Sequence, residues 1–467
     1  TPHPTAMSIK LEYAYMLDGA TRGALTQQVW NDAPRHFAES RAVFKRQRES
    51  GVLGFVDLAA EDVPGLNLLL RFVEGIEGGY DDVVVLGIGG SALGNIALRS
   101  ALRSPNWNEL DDTRRGGKPR LHVLENIDPT SVHELLDRVS LERTMFVVIS
   151  KSGGTAETMA QYLIVRERLE HALGDRYHNH IVFVTDPKKG ALRDLAKTEG
   201  TVTFDIPPNV GGRFSVLSPV GLFPLAAIGV DIRALLAGAR DMIARCEDDD
   251  LSKNPAGTFA LLQWLADTQL GCHNHIMMPY SDPLREFSAW WVQLWAESLG
   301  KVRPDGKSVG PTPIPALGVT DQHSQVQLFM EGPRDKTVTF IEVKKTPVDI
   351  TIPKLHQDVT ELAYLGGHTL KELLDVERRA TAAAFAQRGK PSMTIHIDQV
   401  DAHHVGGMIM MLEYATIYAG ALYGIDPLNQ PGVELGKNFT YAQLNRPDAE
   451  AARKEWAAIK QPEAKFV

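Results

Sequence analysis

The clearest periodicity in the chain lies between Arg285 and Lys301, where Phe287, Trp291, Leu294 and Trp295 recur at helical spacing and predict a helix with one buried face. Gln293 and Glu297 stand one turn apart on a different face. Gly300 is a stop signal, so Glu297 falls in the last turn, where a carboxylate faces the negative end of the helix dipole at a cost in stability. Residues set against local preference mark places to look for function, although a surface acid near a helix end answers the same pattern.

Elsewhere apolar runs and amphipathic segments alternate. Val83 to Leu86 is a short continuous apolar run ending in glycines, as a buried parallel strand would be, and a helix follows over 92–102. Further strands are predicted over 120–125, 144–149, 180–185 and 201–204, with amphipathic segments such as 157–171 and 191–197 between them. Such alternation implies βαβ units and a parallel sheet covered by helices on both faces. Residues 216–245 read as helical. A second series begins near His273, with strands over 275–278, 337–343 and 393–397 and helices over 285–299, 322–330, 368–387 and 405–422. No sequence repeat links the two series. Before them, helices are predicted over 22–49 and 66–77, with connectors at 51–55 and 62–65; after them comes a tail with a helix near 447–459. The chain therefore reads as α/β, with an N-terminal helical arm (1–65), two sheet domains (66–245 and 255–425) and a C-terminal arm (426–467).

Composition narrows the classes. A chain of 467 residues, 43% hydrophobic and 23% charged, has the make-up of a globular protein with more than one core. The net charge of -9 and the lack of a long basic run argue against nucleic acid as a partner, yet local cations and backbone amides can still hold a small anion. Cys246 and Cys272 are too few for a disulfide framework, which points to a reducing, cytoplasmic compartment. Thr1 to Lys10 carry no apolar signal-peptide core. Met408 to Ile425 could just span a bilayer, but Glu413 within it and the absence of flanking Lys or Arg favour a buried core helix over a membrane span.

Five stretches carry chemistry. Gly87-Ile-Gly-Gly-Ser-Ala-Leu-Gly94 follows a strand, so its backbone can approach a ligand at a helix N-terminus. It loosely fits a dinucleotide fingerprint, but the next acids, Glu125 and Asp128, lie too far on for the ribose contact. Ser150-Lys-Ser-Gly-Gly-Thr-Ala-Glu-Thr158 combines hydroxyls, glycines and a helix start into an anion nest. It lacks the Walker A spacing, so a small phosphorylated molecule suits it better than a nucleoside triphosphate; plain capping of the helix, with Glu157 completing a capping box, is the alternative. Gly211-Gly-Arg-Phe-Ser215 offers a fixed cation for a developing oxyanion, or else a surface turn. Thr320-Asp-Gln-His-Ser-Gln325 places a histidine at a helix start, either to shuttle protons or simply solvated. The fifth is Gln430-Pro-Gly-Val-Glu-Leu-Gly-Lys437. The histidine pairs 178/180, 273/275 and 403/404 have no metal-site spacing.

Together these stretches, from Gly87 to Lys437 and in the right order, resemble the glucose-6-phosphate isomerase family in its shorter bacterial form. The resemblance implies two sugar-isomerase domains, each a five-stranded parallel sheet flanked by helices, and a homodimer in which a histidine enters the partner's active site. It implies that Glu297 moves a proton between C2 and C1 of glucose 6-phosphate or fructose 6-phosphate through a cis-enediol. His323 and Lys437 would assist ring opening, and Arg213 would steady the enediolate. Ser150, Lys151, Ser152 and Thr155, with Gly90 and Ser91, would hold the phosphate, while Gln293 and Gln430 would position the sugar. Many relatives carry a further Thr in the Ser152-Gly-Gly-Thr155 loop, so this chain has one hydroxyl fewer there. Neither cofactor nor metal is called for. A wider isomerase accepting mannose 6-phosphate and a non-catalytic sugar-phosphate regulator are the alternatives; the set of Glu297, His323, Arg213 and Lys437 argues against the second, since binding alone needs only the phosphate loops.

Overall fold

The computed structural model describes residues 9–61, 65–460 and 462–466. Thr1–Ser8, most of the stretch that carries no signal-peptide core in the sequence, and Asp62–Pro64 of the connector lie outside them. The first strand, β1 (Lys10–Glu12), is followed by the helix Gln27–Glu49, capped by the Thr26 hydroxyl, which accepts from the Val29 N–H at 3.3 Å. The first sheet then collects β2 (Asp82–Leu86), β3 (Arg120–Leu124), β4 (Thr144–Ile149), β5 (Ile181–Thr185) and β6 (Val202–Asp205). Its order is β3-β2-β4-β5-β6 and all pairs are parallel. Every residue of β2 and β4 is buried, as expected where helices cover both faces.

The second sheet contains β7 (Asn274–Pro279), and after a small hairpin of β8 (Lys301–Val302) and β9 (Ser308–Val309) it adds β10 (Thr312–Pro315), β11 (Lys336–Val343) and β12 (Ser392–Ile397). Its order is β1-β12-β11-β7-β10. This sheet departs from the expected all-parallel pattern in one strand: β1 pairs antiparallel with β12, so the N-terminal arm supplies an edge strand as well as a helix. The other edge, β10, holds Pro313 and Pro315; proline lacks the N–H that a second neighbour would need, so such a strand belongs at a sheet edge.

Helical expectations hold with local changes. The segment expected as one helix over 322–330 is a 3-10 turn, Thr320–His323, and then a short helix, Val326–Glu331, broken where Ser324 leaves helical geometry. The tail carries two helices, Glu434–Gln443 and Glu450–Ala458. Pro255–Leu270, started by Asn254 and Pro255, is buried almost all round and so offers no one-sided periodicity to read. Ala402–Tyr423, among the described residues the one helix long and apolar enough to cross a membrane, is instead buried against Ile232–Cys246, Pro255–Leu270 and Arg285–Leu299.

Candidate active site

The helix Arg285–Leu299 runs as its periodicity predicts: Phe287, Trp291, Leu294 and Trp295 are fully buried. Trp295 donates its indole N–H to His275 at 3.0 Å, which pins the rotation of the helix. The opposite face turns Gln293 and Glu297 outward, and Gln293 Nε2 donates to Glu297 Oε2 at 3.0 Å. Gly300 ends the helix with its N–H on the Ala296 carbonyl. The unfavourable dipole at this end is met by Lys301, whose ammonium donates to the carbonyls of Glu297 at 2.5 Å and Ser298 at 2.9 Å. Burial, then the nearby Arg213 charge, pushes the Lys301 ammonium down to about 8, against the attraction of Asp426 and Glu297.

Arg213 sits in the turn Gly212–Phe214 and is 4% exposed. Its Nη1 lies 3.2 Å from Glu297 Oε1 and donates to Gln430 Oε1 at 3.1 Å. Its Nε donates to the buried Ser298 hydroxyl at 2.6 Å, and its Nη2 to the carbonyls of Pro427 and Asn429, the latter at 3.1 Å. A guanidinium has five N–H groups, and here each has an acceptor. Burial lowers its pKa, while Glu297 and Asp426 favour its charge. Arg213 therefore ties three segments together: its own turn, the end of the helix, and the loop that opens the C-terminal arm.

The glycine-rich turn after β2 joins the same cluster by close approach. A Cβ on Gly90 would fall 2.3 Å from the Gly212 carbonyl and 2.7 Å from the Arg213 nitrogen, so only glycine lets the two turns touch. Gly89, at φ +56, would bring a Cβ within 3.1 Å of Gln293 Nε2. Beside Glu297 opens a cleft of about 660 Å³ that Lys301, Asp426, Asn429 and Gln430 also line. A larger cavity of about 960 Å³ lies elsewhere, with Tyr280, Thr320 and Leu374 among its walls and Glu297 not among them. The smaller cleft is the one that holds the convergent charged groups that chemistry needs.

The hydroxyl loop after β4 forms a second cluster. Ser150 and Thr155 hydroxyls are 2.9 Å apart, those of Ser152 and Thr155 3.5 Å, and the Gly154 N–H donates to Ser152 Oγ at 3.3 Å. Thr155 is the N-cap residue of the helix Ala156–Leu173, yet its hydroxyl makes no capping bond. The hydroxyls gather instead at a helix N-terminus, where an anion is favoured. Lys151 turns away from them and donates to the carbonyls of Pro208 at 2.7 Å and Val210 at 2.8 Å.

His323 ends the turn Thr320–His323 and is exposed; Lys437 lies on Glu434–Gln443, half-exposed and 3.0 Å from Glu434. Among the described residues, neither hydrogen-bonds to Glu297 or to the hydroxyl loop. Gln322, beside the histidine, is fixed: it accepts from the Tyr280 hydroxyl at 2.5 Å and donates to Glu377 at 2.9 Å. Sequence reasoning missed Ser298, Lys301, Asp426 and Asn429. A basic residue just past a helix end was the one available signal, and it pointed to Lys301.

The family model described as phosphoglucose isomerase matches residues 74–459. A glucose-6-phosphate isomerase of Carboxydothermus hydrogenoformans is 44% identical over 434 residues, covering 92% of this chain and 93% of that protein. One from Rubrobacter xylanophilus is 47% identical over 399 residues, covering 83% and 90%. A crystal structure of a hypothetical protein from Thermus thermophilus superposes with a TM-score of 0.82 at 36% identity, over 93% of this chain and 99% of that one. The matched span takes in every residue of both clusters together with His323 and Lys437, and the chain belongs to the phosphoglucose isomerase family.

Proposed function

We propose that the cluster around Glu297 interconverts glucose 6-phosphate and fructose 6-phosphate, with Glu297 as the base that carries a proton between C2 and C1. The observation that carries this reading is the carboxylate itself, oriented by Gln293 on one oxygen and Arg213 on the other, at the mouth of a cleft. A carboxylate has lone pairs to spare after two such contacts, so a proton on the substrate can still be taken. As the proton leaves, negative charge grows on the neighbouring oxygen to give the cis-enediol. Arg213 answers it as a fixed positive field, its N–H groups being engaged within the protein already. Gln293 and Gln430 face the sugar, and Ser150, Ser152 and Thr155, with the Gly90–Ser91 turn, take the phosphate; binding energy there orients the reacting carbons. His323 of one copy and Lys437 assist ring opening in a site shared across a homodimer. The two sheets serve as sugar-isomerase domains over 66–245 and 255–425. Burial pushes the thiols of Cys246 and Cys272 up to about 12 and about 11, so they stay protonated and unreactive; two free cysteines and no disulfide framework suit a cytoplasmic setting.

The test is turnover of fructose 6-phosphate by Glu297→Gln. Loss of a general base costs about 10²–10⁴-fold in kcat with binding retained. Wild-type turnover in this variant overturns the assignment of the base.

A further inference from the structure

A second group of cations gathers at the opposite end of the first sheet. Arg120 opens β3, Asp82 opens β2, and the Gly89–Ser91 turn follows the far end of β2; at about 3.3 Å per residue the two ends lie roughly 16 Å apart. A pocket of about 330 Å³ here is walled by Arg99, Asn108, Arg120, His122, Arg138 and the Trp107 ring, among others. Arg120 and His122 lie two apart on β3 and so share a face. The carboxylate beneath them is fully taken up: Asp82 accepts from Arg120 Nε and Nη2, both at 2.6 Å, and from His122 Nε2 at 2.9 Å. Arg138 Nη2 lies 3.2 Å from His122 Nδ1, and a guanidinium can only donate, so that nitrogen accepts and Nε2 carries the hydrogen given to Asp82. Asn108 bridges the Leu121 carbonyl and N–H and holds the wall against the strand.

Two of the three guanidiniums are thereby left over. Arg99 has one backbone bond, to the Leu121 carbonyl at 2.8 Å, and Arg138 has the imidazole alone; among the described residues neither forms an ion pair. Burial holds the Arg99 guanidinium below its ordinary range, with the Glu286 carboxylate the one group that favours its charge. Glu109 is the one acid on the pocket wall. A positive, concave, asparagine-lined site of this size on a chain of net charge -9 matches a small anion with several oxygens in one plane or tetrahedron, which arginine forks bind in pairs.

We infer that this pocket is a second anion site, separate from the isomerase centre, that takes a small anion bearing a diphosphate group, and not a monoester such as fructose 6-phosphate, between Arg99, Arg120 and Arg138. The helix Leu93–Leu102 carries Arg99 near its end and begins just after the Gly89–Ser91 turn, so one rigid element touches both sites.

The experiment is calorimetric titration with inorganic pyrophosphate while saturating fructose 6-phosphate fills the isomerase centre. The wild type is expected to bind one pyrophosphate per chain under that block. Arg138→Gln, a change at an exposed residue, should weaken this binding at least tenfold, and Arg138→Lys, which keeps charge but loses the fork, by less. Turnover of fructose 6-phosphate without pyrophosphate should be the same in both variants as in the wild type. The proposal is overturned if no binding is seen once fructose 6-phosphate is present, or if Arg138→Gln binds as tightly as the wild type. Because the readout is binding at residues remote from Glu297, it stands or falls apart from the assignment of the base.

Discussion

Lys301 turns the awkward position of Glu297 into a workable one. Its ammonium donates to the carbonyls of Glu297 and Ser298, and Arg213, Glu297 and Asp426 are the charged groups that face it. With its pKa pushed down to about 8, the lysine is largely charged below that pH and loses its proton as pH rises through it. The neutral amine supports the helix end less well and removes a positive charge beside the proposed base, Glu297. We therefore expect kcat/KM to fall along an alkaline limb centred near 8. Lys301→Arg should move that limb upward, because arginine keeps its proton throughout; a pH–rate profile unchanged by the substitution would show that some other group sets it. At this scale the sequence was legible where a residue broke a local rule, as Glu297 does at a helix C-terminus. It was silent on Ser298 and Asn429, which matter only because tertiary packing delivers Arg213 between them.

Ala402–Tyr423 raises a different problem at the scale of the element. Glu413 lies at its middle, fully buried, with no partner for either carboxyl oxygen among the described residues, and burial pushes its pKa well above the ordinary range. An acid that holds its proton more tightly when folded makes stability fall as pH rises above the unfolded carboxyl's titration. Glu413→Met, similar in length and without the unmet polar atoms, should raise the melting temperature at neutral pH by the equivalent of about 1–3 kcal/mol. It should also flatten the decline of melting temperature between acid and neutral pH. A variant less stable than the wild type at every pH would mean that the carboxyl is doing structural service. The same helix shows what pattern can and cannot tell. Its apolar length and single acid were enough to predict a core helix, whereas Pro255–Leu270, buried nearly all round, left no stripe to detect. Parallel strands such as β2 and β4 announce themselves as continuous apolar runs; β10, with two prolines, and the three-residue β1 do not, and their places come from pairing with β7 and β12.

At the scale of the whole molecule, the proposed catalytic groups do not all converge within one chain. Glu297, Gln293, Arg213 and Gln430 converge, but His323 and Lys437 stand exposed and unconnected to them. The excursion between β11 and the helix Leu370–Gln387 leaves Val348, Ile350, Leu355 and Tyr364 more than half exposed, the kind of apolar surface that marks an interaction site. If a histidine from each copy serves the other's cleft, two inactive variants should repair one another. A chain carrying Glu297→Gln still offers His323, and a chain carrying His323→Ala still offers Glu297. Mixed under subunit exchange, half of the dimers are heterodimers, and each regains one whole site and one doubly broken site. Activity should therefore return to about a quarter of that of the same quantity of wild type, a fraction set by two-fold symmetry alone. Heterodimers proven by differential tagging that stay inactive would place His323 in its own chain's site or outside the chemistry.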